Sequence, residues 1–433
     1  MLQDFLATLQ ITSKNVIKLG LENITKAAQL LNLPKPAPYI VVVGGTNGKG
    51  SVINLLDAAL VSLGYKTGCY TSPHLVNFNE RYRVNQKPLN DQELLTNFQS
   101  LLEKINYYNL TLTFFEFITL AAWSIYSTKD LDILLLEIGL GGRLDAVNAI
   151  PKDLAIITSV AFDHQDYLGN TLEDIGREKS GIISNNTPVI LGDLTMPEVI
   201  FKIAQARNAT IFQYGKDYNL KELGSAAGNK LLYTSATVTY YFSKRRYLNL
   251  CVNNIATSIK ALELILKSRS TKPARPEIFK SIDNTIKNFN LLGRCSWLNP
   301  EKTILIDVAH NEQSIENLKN YLIKINSGGK KILAVFGMLQ DKNIEKCLAI
   351  IEPIIHYWYL SSINEARGTQ AEHLANIIKS INNKAEYQSH ENITECFMAA
   401  YKFVTQNLSK DSILIVFGSF HIVGPVCKCY GDL

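Results

Sequence analysis

Short apolar segments alternate with longer segments of helical pattern along most of the chain. The apolar runs are rich in Val, Ile and Leu and have the length of buried strands, at 39–43, 131–137, 154–159 and 188–191 and again at 303–308, 331–336, 356–360 and 412–417. Helical patterns fill the intervals, as at 311–325 and 371–381. Such alternation is typical of parallel sheets covered by helices. The pattern therefore predicts two α/β units.

One stretch, residues 220–249, departs from this pattern. Its Ser, Thr and Tyr residues alternate in TSATVTYYFS, which favours antiparallel strands or a β-rich insertion. Helical patterns follow at 252–267 and 276–289, and Gly293 and Pro300 then interrupt the pattern before the next strand. We therefore expect a larger, mostly parallel-sheet domain at 1–293 and a smaller, Rossmann-like α/β domain at 294–433.

Composition indicates an ordinary globular protein. The 433 residues are 46% hydrophobic and 19% charged, and the net charge of +5 is scattered, so no nucleic-acid surface is indicated. Seven cysteines lack zinc-like spacing, and Cys427 and Cys429 receive no role, since a redox pair and an incidental pair both remain open. No segment has the ~20 apolar residues of a membrane span, and no secretory signal is evident. We expect a cytoplasmic protein, and no feature requires more than a monomer.

A glycine-rich loop follows the first strand. The sequence runs from YIVVV through GGTNGKGS into a helical pattern that ends at Gly64. Glycines at 44, 45, 48 and 50 let backbone N–H groups face phosphate oxygens at a helix N-terminus. Lys49 supplies positive charge, and Ser51 offers a hydroxyl to a phosphate or its metal ion. The loop departs from the standard phosphate-loop pattern at Val43 and Gly50. A glycine turn without a ligand is the alternative, but packing alone rarely needs such a set.

Three further strand ends carry groups suited to a hard divalent cation. These groups are Thr71, Ser72 and His74 in CYTSPHL, Glu137 and Asp145 in LLLEIGLGGRLDAVN, and Asp163 and His164 in TSVAFDHQDYLG. Ligands of open parallel sheets bind beyond the carboxyl ends of strands, so we expect these residues to converge on the glycine loop. Oxygen ligands with one imidazole would form an incomplete magnesium cage. Taken singly, His164 reads as a structural histidine and Glu137 as a capping or ion-pairing residue.

The motifs occur in an order that resembles one known family. They are GTNGKGS, TSPHL with ERYRV, LEIGLGGRLDAVN, SVAFDHQDYLG, IGREKSGI, DVAHN, FGMLQDKN and FGSFH. Together they resemble the folylpolyglutamate synthase family of the Mur ligase group, and most closely its bacterial bifunctional dihydrofolate synthase type. The resemblance covers nearly the whole chain.

The resemblance implies a nucleotide and metal site. ATP phosphates would be held by Asn47, Gly48, Lys49, Gly50 and Ser51, with further nucleotide contacts from Asn254, Arg294 and Asp307. Magnesium ligands would be Thr71, Glu137 and His164, and Lys179 would carry a carbamate that helps hold a second Mg²⁺. From the residues alone, Lys179 is an ordinary basic residue at a helix end, Asn254 a helix-start residue, Arg294 a linker charge and Asp307 a turn residue.

The resemblance also implies a pterin site and two departures from the family pattern. Substrate contacts would come from Leu19, Gly20, Leu112, Thr113, Phe114, Phe115, Leu144, Asp145 and Ala146. Both phenylalanines offer flat faces to a pterin ring, although such residues are more often core. Thr71 replaces a serine of the enterobacterial type and keeps the hydroxyl. Gln340 replaces a histidine, so the residues of the glutamate pocket stay undefined.

The reaction implied is ATP-dependent addition of L-glutamate to 7,8-dihydropteroate and to reduced folates through an acyl phosphate. Lys49, Lys179 and His310 are the candidate catalytic residues, and His310 would touch phosphate or glutamate unless it is only structural. The alternatives are polyglutamylation alone, a peptidoglycan-precursor ligase, or a nucleotide-binding protein without catalysis. The LTFF segment argues against the peptidoglycan ligase. Retention of Glu137, His164, Lys179 and Asp307 argues against a nucleotide-binding protein without catalysis.

Overall fold

The chain divides into two compact units. The computed structural model describes residues 1–12, 20–224, 230–243, 250–268, 275–408 and 411–431. Of these, the first unit takes the residues within Met1–Ala161, Gln165–Arg246 and Cys251–Phe289, and the second takes those within Phe162–His164, Tyr247–Leu250 and Asn290–Leu433. Both units are α/β, so the predicted fold class is confirmed.

An eight-stranded sheet forms the centre of the first unit. Its strands are β1 Tyr39–Gly44, β2 Thr67–Tyr70, β3 Tyr82–Val84, β4 Lys87–Pro88, β5 Ile133–Glu137, β6 Leu154–Ile157, β7 Val189–Leu191 and β8 Ile211–Gln213. The order is β4-β3-β2-β5-β1-β6-β7-β8, and only the pairs that involve β3 and β4 are antiparallel. β1 therefore lies between β5 and β6, with both of its faces buried, which explains its continuous apolar run.

Helices cover this sheet, and a small antiparallel sheet is inserted. The helices are α1 Leu2–Thr12, α2 Glu22–Leu30, α3 Lys49–Ser62, α4 Asp91–Tyr107, α5 Phe114–Ser127, α6 Gln165–Leu168, α7 Leu172–Ser180, α8 Glu198–Ala206, α9 Val252–Ser268 and α10 Arg275–Asn288. The insertion consists of β9 Tyr218–Glu222, β10 Lys230–Ser235 and β11 Thr239–Ser243, in the order β11-β10-β9. The antiparallel strands predicted within 220–249 are thus confirmed.

The second unit contains a six-stranded mixed sheet. Its strands are β12 Ser296–Trp297, β13 Ile304–Ile306, β14 Lys331–Phe336, β15 Tyr357–Ser361, β16 Tyr387–His390 and β17 Ser412–Phe417, in the order β12-β13-β17-β14-β15-β16. Only β12 is antiparallel to its neighbour. The helices are α11 Glu312–Ile325, α12 Ile344–Ile351, α13 Ala371–Ile381, α14 Ile393–Phe403 and α15 Phe420–Gly431. Parallel strands alternating with helices make this unit Rossmann-like, as predicted.

No disulfide forms among the described residues. In the same part of the chain, no helix is long and apolar enough to cross a membrane.

Candidate active site

The phosphate loop, residues 44–51, joins the end of β1 to the start of α3. Gly45 and Gly48 adopt φ values of +138° and +90°, in the region that favours glycine. Gly48 is the N-cap of α3, so the loop leads directly into a helix N-terminus. The Lys49 ammonium donates to the carbonyl oxygens of Gly45 at 3.0 Å and Thr46 at 3.2 Å, which fixes its positive charge beside the loop.

Asn254 packs directly against this loop. A methyl group added at Gly48 would lie 2.5 Å from the Asn254 Oδ1 atom. Asn254 stands in the first turn of α9, a helix that packs along α3. The structure therefore brings together two elements of the predicted nucleotide site that are about 200 positions apart in sequence.

Glu137 reaches the same loop from the end of the neighbouring strand. It pairs in register with Val43 and is 6% exposed. Its carboxylate oxygens lie 3.9 and 4.0 Å from the position that a Gly50 side chain would take. The carboxylate also accepts a hydrogen bond of 3.2 Å from the Ser72 N–H. The turn at Thr71 and Ser72, the carboxylate and the phosphate loop thus converge within the first unit.

Lys179 lies at the end of α7 and is 3% exposed. The turn after Glu137 packs closely against this helix end, because a side chain at Gly142 would approach the carbonyl oxygens of Glu178 and Lys179 to 2.8 and 2.9 Å. The Arg143 N–H donates to the Glu178 carbonyl oxygen at 2.8 Å. An ammonium group at so buried a position carries a high desolvation cost.

His164 is grouped differently from the other predicted metal ligands. It belongs to the segment 162–164, which clusters with the second unit, whereas Thr71, Glu137 and Lys179 lie in the first. Its Nε2 atom lies 3.4 Å from the Lys342 ammonium. Among the described residues, no group of three or more His, Cys, Asp or Glu side chains is arranged to hold a metal ion.

Asp163 is the centre of a polar cluster in the second unit. Its carboxylate accepts from the Lys342 ammonium at 2.6 Å and from the Asn311 amide at 3.1 Å, and it lies 3.4 Å from His310 Nε2. Burial alone would raise the pKa of Asp163, but the hydrogen bond and charge of His310, with His164 and Lys342, hold it well below its usual range. Asp163 could be predicted from its place after a strand, whereas Lys342 was not predicted, although the charged residues of DKN were a visible signal.

The other second-unit candidates have defined partners. His310 Nδ1 lies 2.7 Å from the Val308 carbonyl oxygen. The Arg294 guanidinium lies over the Phe420 ring, 5.4 Å from its centroid. Both carboxylate oxygens of Asp307 accept backbone N–H groups, from residues 295 and 309 at 2.7 Å each, and burial raises its pKa. Asp307 therefore shapes the turn after β13, whatever else it contacts.

Three segments of the predicted pterin site come together in the first unit. A side chain at Gly139 would lie 2.6 Å from the Phe115 ring and 3.3 Å from the Asp145 carboxylate. The Gly20 N–H donates to the Leu144 carbonyl oxygen at 3.2 Å. Burial raises the pKa of Asp145 to about 6, although the carboxylate accepts backbone N–H groups.

The remaining pterin candidates surround the start of α5 and a short 3₁₀ helix. Thr113 caps α5, exchanging hydrogen bonds with Glu116, and Leu112 and Phe114 are partly buried against the core. Ala146 begins the 3₁₀ turn Ala146–Ala149 and is buried. Leu19 lies outside the described residues.

The family comparisons agree with this architecture. The Mur ligase middle domain matches residues 43–247, and the Mur ligase glutamate ligase domain matches residues 293–420. The chain therefore has the middle and glutamate ligase domains of a Mur ligase.

Individual relatives indicate which family of Mur ligases the chain belongs to. The dihydrofolate synthase/folylpolyglutamate synthase of Escherichia coli strain K12 is 34% identical over 428 residues, which cover 99% of this chain and 95% of that protein. The Haemophilus influenzae protein of the same name is 30% identical over 439 residues, covering 98% and 96%. The chain belongs to the dihydrofolate synthase/folylpolyglutamate synthase family.

Solved structures of this family share the fold over its whole length. E. coli FolC in complex with DHPP and ADP has a TM-score of 0.89 at 31% identity, covering 100% of this chain and 98% of that one. A bifunctional folylpolyglutamate synthase/dihydrofolate synthase with Mn, AMPPNP and L-glutamate bound has a TM-score of 0.86 at 31% identity, covering 99% and 98%.

Replacing Gly48 with alanine tests the contact between the phosphate loop and Asn254. The added methyl group would displace the Asn254 amide, so we expect the affinity for AMPPNP with Mg²⁺, measured by titration calorimetry, to fall at least about tenfold. Gly64→Ala is the matched control, because Gly64 also has a left-handed φ, +86°, but nothing within 4 Å of the added carbon. Both variants carry a similar backbone cost of about 1–2 kcal/mol. Equal AMPPNP affinities in the two variants would contradict the prediction.

Proposed function

We propose that this protein uses ATP to join the amino group of L-glutamate to the carboxylate of a pteroate or folate. The acceptors are 7,8-dihydropteroate, which gives dihydrofolate, and reduced folates, which gain further glutamates. The convergence of Glu137, Asn254 and the phosphate loop in one unit carries this proposal, since it supplies the positive charge, N–H donors and oxygen ligands that phosphoryl transfer requires. The relatives named above support the choice of acceptor.

The reaction has two steps. A carboxylate oxygen of the acceptor bonds to the γ-phosphorus as the bond to the β–γ bridging oxygen breaks, which releases ADP and leaves an acyl phosphate. The glutamate amine then attacks the acyl carbon and loses a proton, and inorganic phosphate departs with the former carboxylate oxygen. The N–H groups of the phosphate loop and the Lys49 ammonium offset the charge on the phosphoryl oxygens. We assign Asn47, Gly50 and Ser51 to the same phosphates.

The residues around Glu137 fit a hard divalent cation. Its carboxylate lies beside the phosphate loop and next to the hydroxyl-bearing turn at Thr71, and oxygen donors of this kind suit Mg²⁺. We propose Thr71, Glu137 and His164 as its ligands. When bound, Mg²⁺ neutralises charge on the β- and γ-phosphates.

Lys179 is the proposed site of a carbamate. Its ammonium group would first lose one proton, and the resulting ε-amine would add to CO₂ and release a second proton. The side chain would thereby change from a cation to an anion that could help to hold a second Mg²⁺. The 3% exposure of Lys179 supports this assignment, because a buried ammonium group carries a high desolvation cost.

We also propose substrate contacts for three residues of the second unit. Arg294, with its guanidinium over the Phe420 ring, and Asp307, at the end of β13, are assigned to the nucleotide. His310, held by its Nδ1 contact to the Val308 carbonyl, is assigned to phosphate or the incoming glutamate. We further propose that the protein works as a monomer in the cytoplasm.

The pterin is assigned to the cluster formed by the start of α5 and the turn after β5. The Phe115 ring, the Asp145 carboxylate and the Gly20 backbone are held there by the contacts described above. We assign to the same site the residues next to these in sequence, which are Leu112, Thr113, Phe114, Leu144 and Ala146, together with Leu19.

ADP release tests the proposed function. With ATP, Mg²⁺ and L-glutamate, we expect turnover on both 7,8-dihydropteroate and tetrahydrofolate, and at least about a 100-fold loss in Glu137→Ala, the scale for removing a charge-stabilising group. Glu93→Ala on α4 is the control that should keep activity. Turnover on tetrahydrofolate alone would reduce the function to polyglutamylation. Turnover on neither acceptor would favour a peptidoglycan-precursor ligase or a nucleotide-binding protein without catalysis.

The carbamate can be detected directly. We expect protein equilibrated with ¹³C-bicarbonate to show a carbamate carbon resonance that disappears in Lys179→Met. Lys152→Met is the control, because burial lowers the pKa of Lys152 to about 8 and makes its amine the competing site in the same unit. A resonance that persists in Lys179→Met and disappears in Lys152→Met would contradict the assignment.

A further inference from the structure

Two hydroxyl side chains bind the phosphate loop from the neighbouring strand. β6 ends at Ile157, which pairs with Gly44, and the chain continues through Thr158 and Ser159. Thr158 Oγ1 donates to the Asn47 carbonyl oxygen at 2.6 Å and lies 3.2 Å from that of Gly44. Ser159 Oγ accepts from the Asn47 N–H at 3.1 Å and lies 3.2 Å from the Asn47 carbonyl oxygen.

The backbone adds to this attachment. The Thr46 N–H donates to the Ser159 carbonyl oxygen at 2.8 Å, and the Thr158 N–H donates to that of Gly44 at 2.9 Å. The fit is tight, because a side chain at Gly45 would lie 2.0 Å from Thr158 Oγ1. Glycine is therefore required at position 45 for two reasons. The Thr158 side chain leaves no room for another side chain, and the backbone conformation of Gly45 favours glycine.

These bonds determine which way the loop N–H groups point. In a planar trans peptide, the carbonyl of one residue and the N–H of the next point in opposite directions. The Asn47 carbonyl faces Thr158 and Ser159, so the Gly48 N–H must face away from β6. The Gly44 carbonyl likewise faces Thr158, so the Gly45 N–H also faces away from β6. Since unpaired donors at a helix N-terminus are what binds phosphate, the hydroxyls set the direction of those donors.

Thr158 and Ser159 are themselves 2% and 7% exposed, which leaves almost no surface for contact with a bound nucleotide. We propose that they are positioning residues of the ATP site, which orient the phosphate loop through Asn47 without touching the nucleotide. This inference rests on the proposed function, in that it takes ATP as the ligand of the loop.

Substitution of Thr158 tests this role. Thr158→Val keeps the shape and removes the hydroxyl, and we expect the dissociation constant for AMPPNP with Mg²⁺, measured by titration calorimetry on the full chain, to rise about tenfold, as for the loss of one hydrogen bond. Thr158→Ser keeps the hydroxyl and should stay within about threefold of wild type. The KM for ATP should rise with the dissociation constant, while the KM for L-glutamate should not change.

Thr119→Val is the matched control for folding. Thr119 is fully buried in α5 of the same unit, and its hydroxyl pairs with that of Tyr70 at 3.2 Å. We expect its melting temperature to fall as in Thr158→Val while its AMPPNP affinity stays at the wild-type value. Should Thr158→Val fail to fold, Ser159→Ala takes its place, with an expected loss of affinity of about threefold or more.

The outcomes are distinct. Wild-type affinity in Thr158→Val, or in Ser159→Ala if that variant is used, would overturn the inference and leave both residues as structural only. A wild-type protein that binds AMPPNP but forms no ADP with any acceptor would refute the proposed function, while the affinities of the variants would still decide the inference. A wild-type protein that does not bind AMPPNP would overturn both.

Discussion

The parallel pairing of β1 with β5 and β6 is the constraint on which the first unit depends. It brings three strand ends to one edge of the sheet, so the phosphate loop after β1 lies between Glu137 and Thr158. Parallel strands in the sheet centre are buried on both faces, which accounts for the uninterrupted apolar runs that form them. The polar groups begin where the ladder ends, because only there can backbone and side-chain groups face a ligand.

The turn that follows β5, residues 138–145, links the proposed subsites of the first unit. Gly139 makes room for the Phe115 ring, and Gly142 makes room for the end of the helix that carries Lys179. The Leu144 carbonyl oxygen accepts from Gly20. A larger residue at either glycine would meet a ring or a backbone carbonyl within 3 Å, so close packing explains the GLGGRLD motif at these positions. Substitutions in this turn would therefore affect the proposed phosphate, carbamate and pterin sites together.

Much of the fold could be predicted from the sequence, because the central strands are continuous apolar runs. β14 and β17 have the predicted bounds, and the antiparallel insertion was visible in its alternation. Five short strands at or next to the sheet edges, β3, β4, β8, β12 and β16, were not predicted, since two to four residues carry little periodic signal. Thr158 and Ser159 were predicted as the end of a strand, whereas β6 ends at Ile157 and these two residues bond to the phosphate loop.

The site was less accessible to sequence reasoning. Glu137 and the phosphate loop were predicted from their positions at the ends of strands, and the structure brings them together. The contact of Asn254 with Gly48 could not be derived from pattern, because it depends on how α9 packs along α3. The roles assigned to Lys179, Arg294 and Asp307 came only from the family resemblance, and they remain predictions.

We infer that the protein activates the acceptor carboxylate as an acyl phosphate. The most direct test labels both carboxylate oxygens of the reacting carboxyl group of 7,8-dihydropteroate with ¹⁸O and analyses the inorganic phosphate by mass spectrometry. Activation as an acyl phosphate places one ¹⁸O atom in each phosphate released per amide bond formed. Phosphate without ¹⁸O, formed in step with ADP and the amide product, would contradict it.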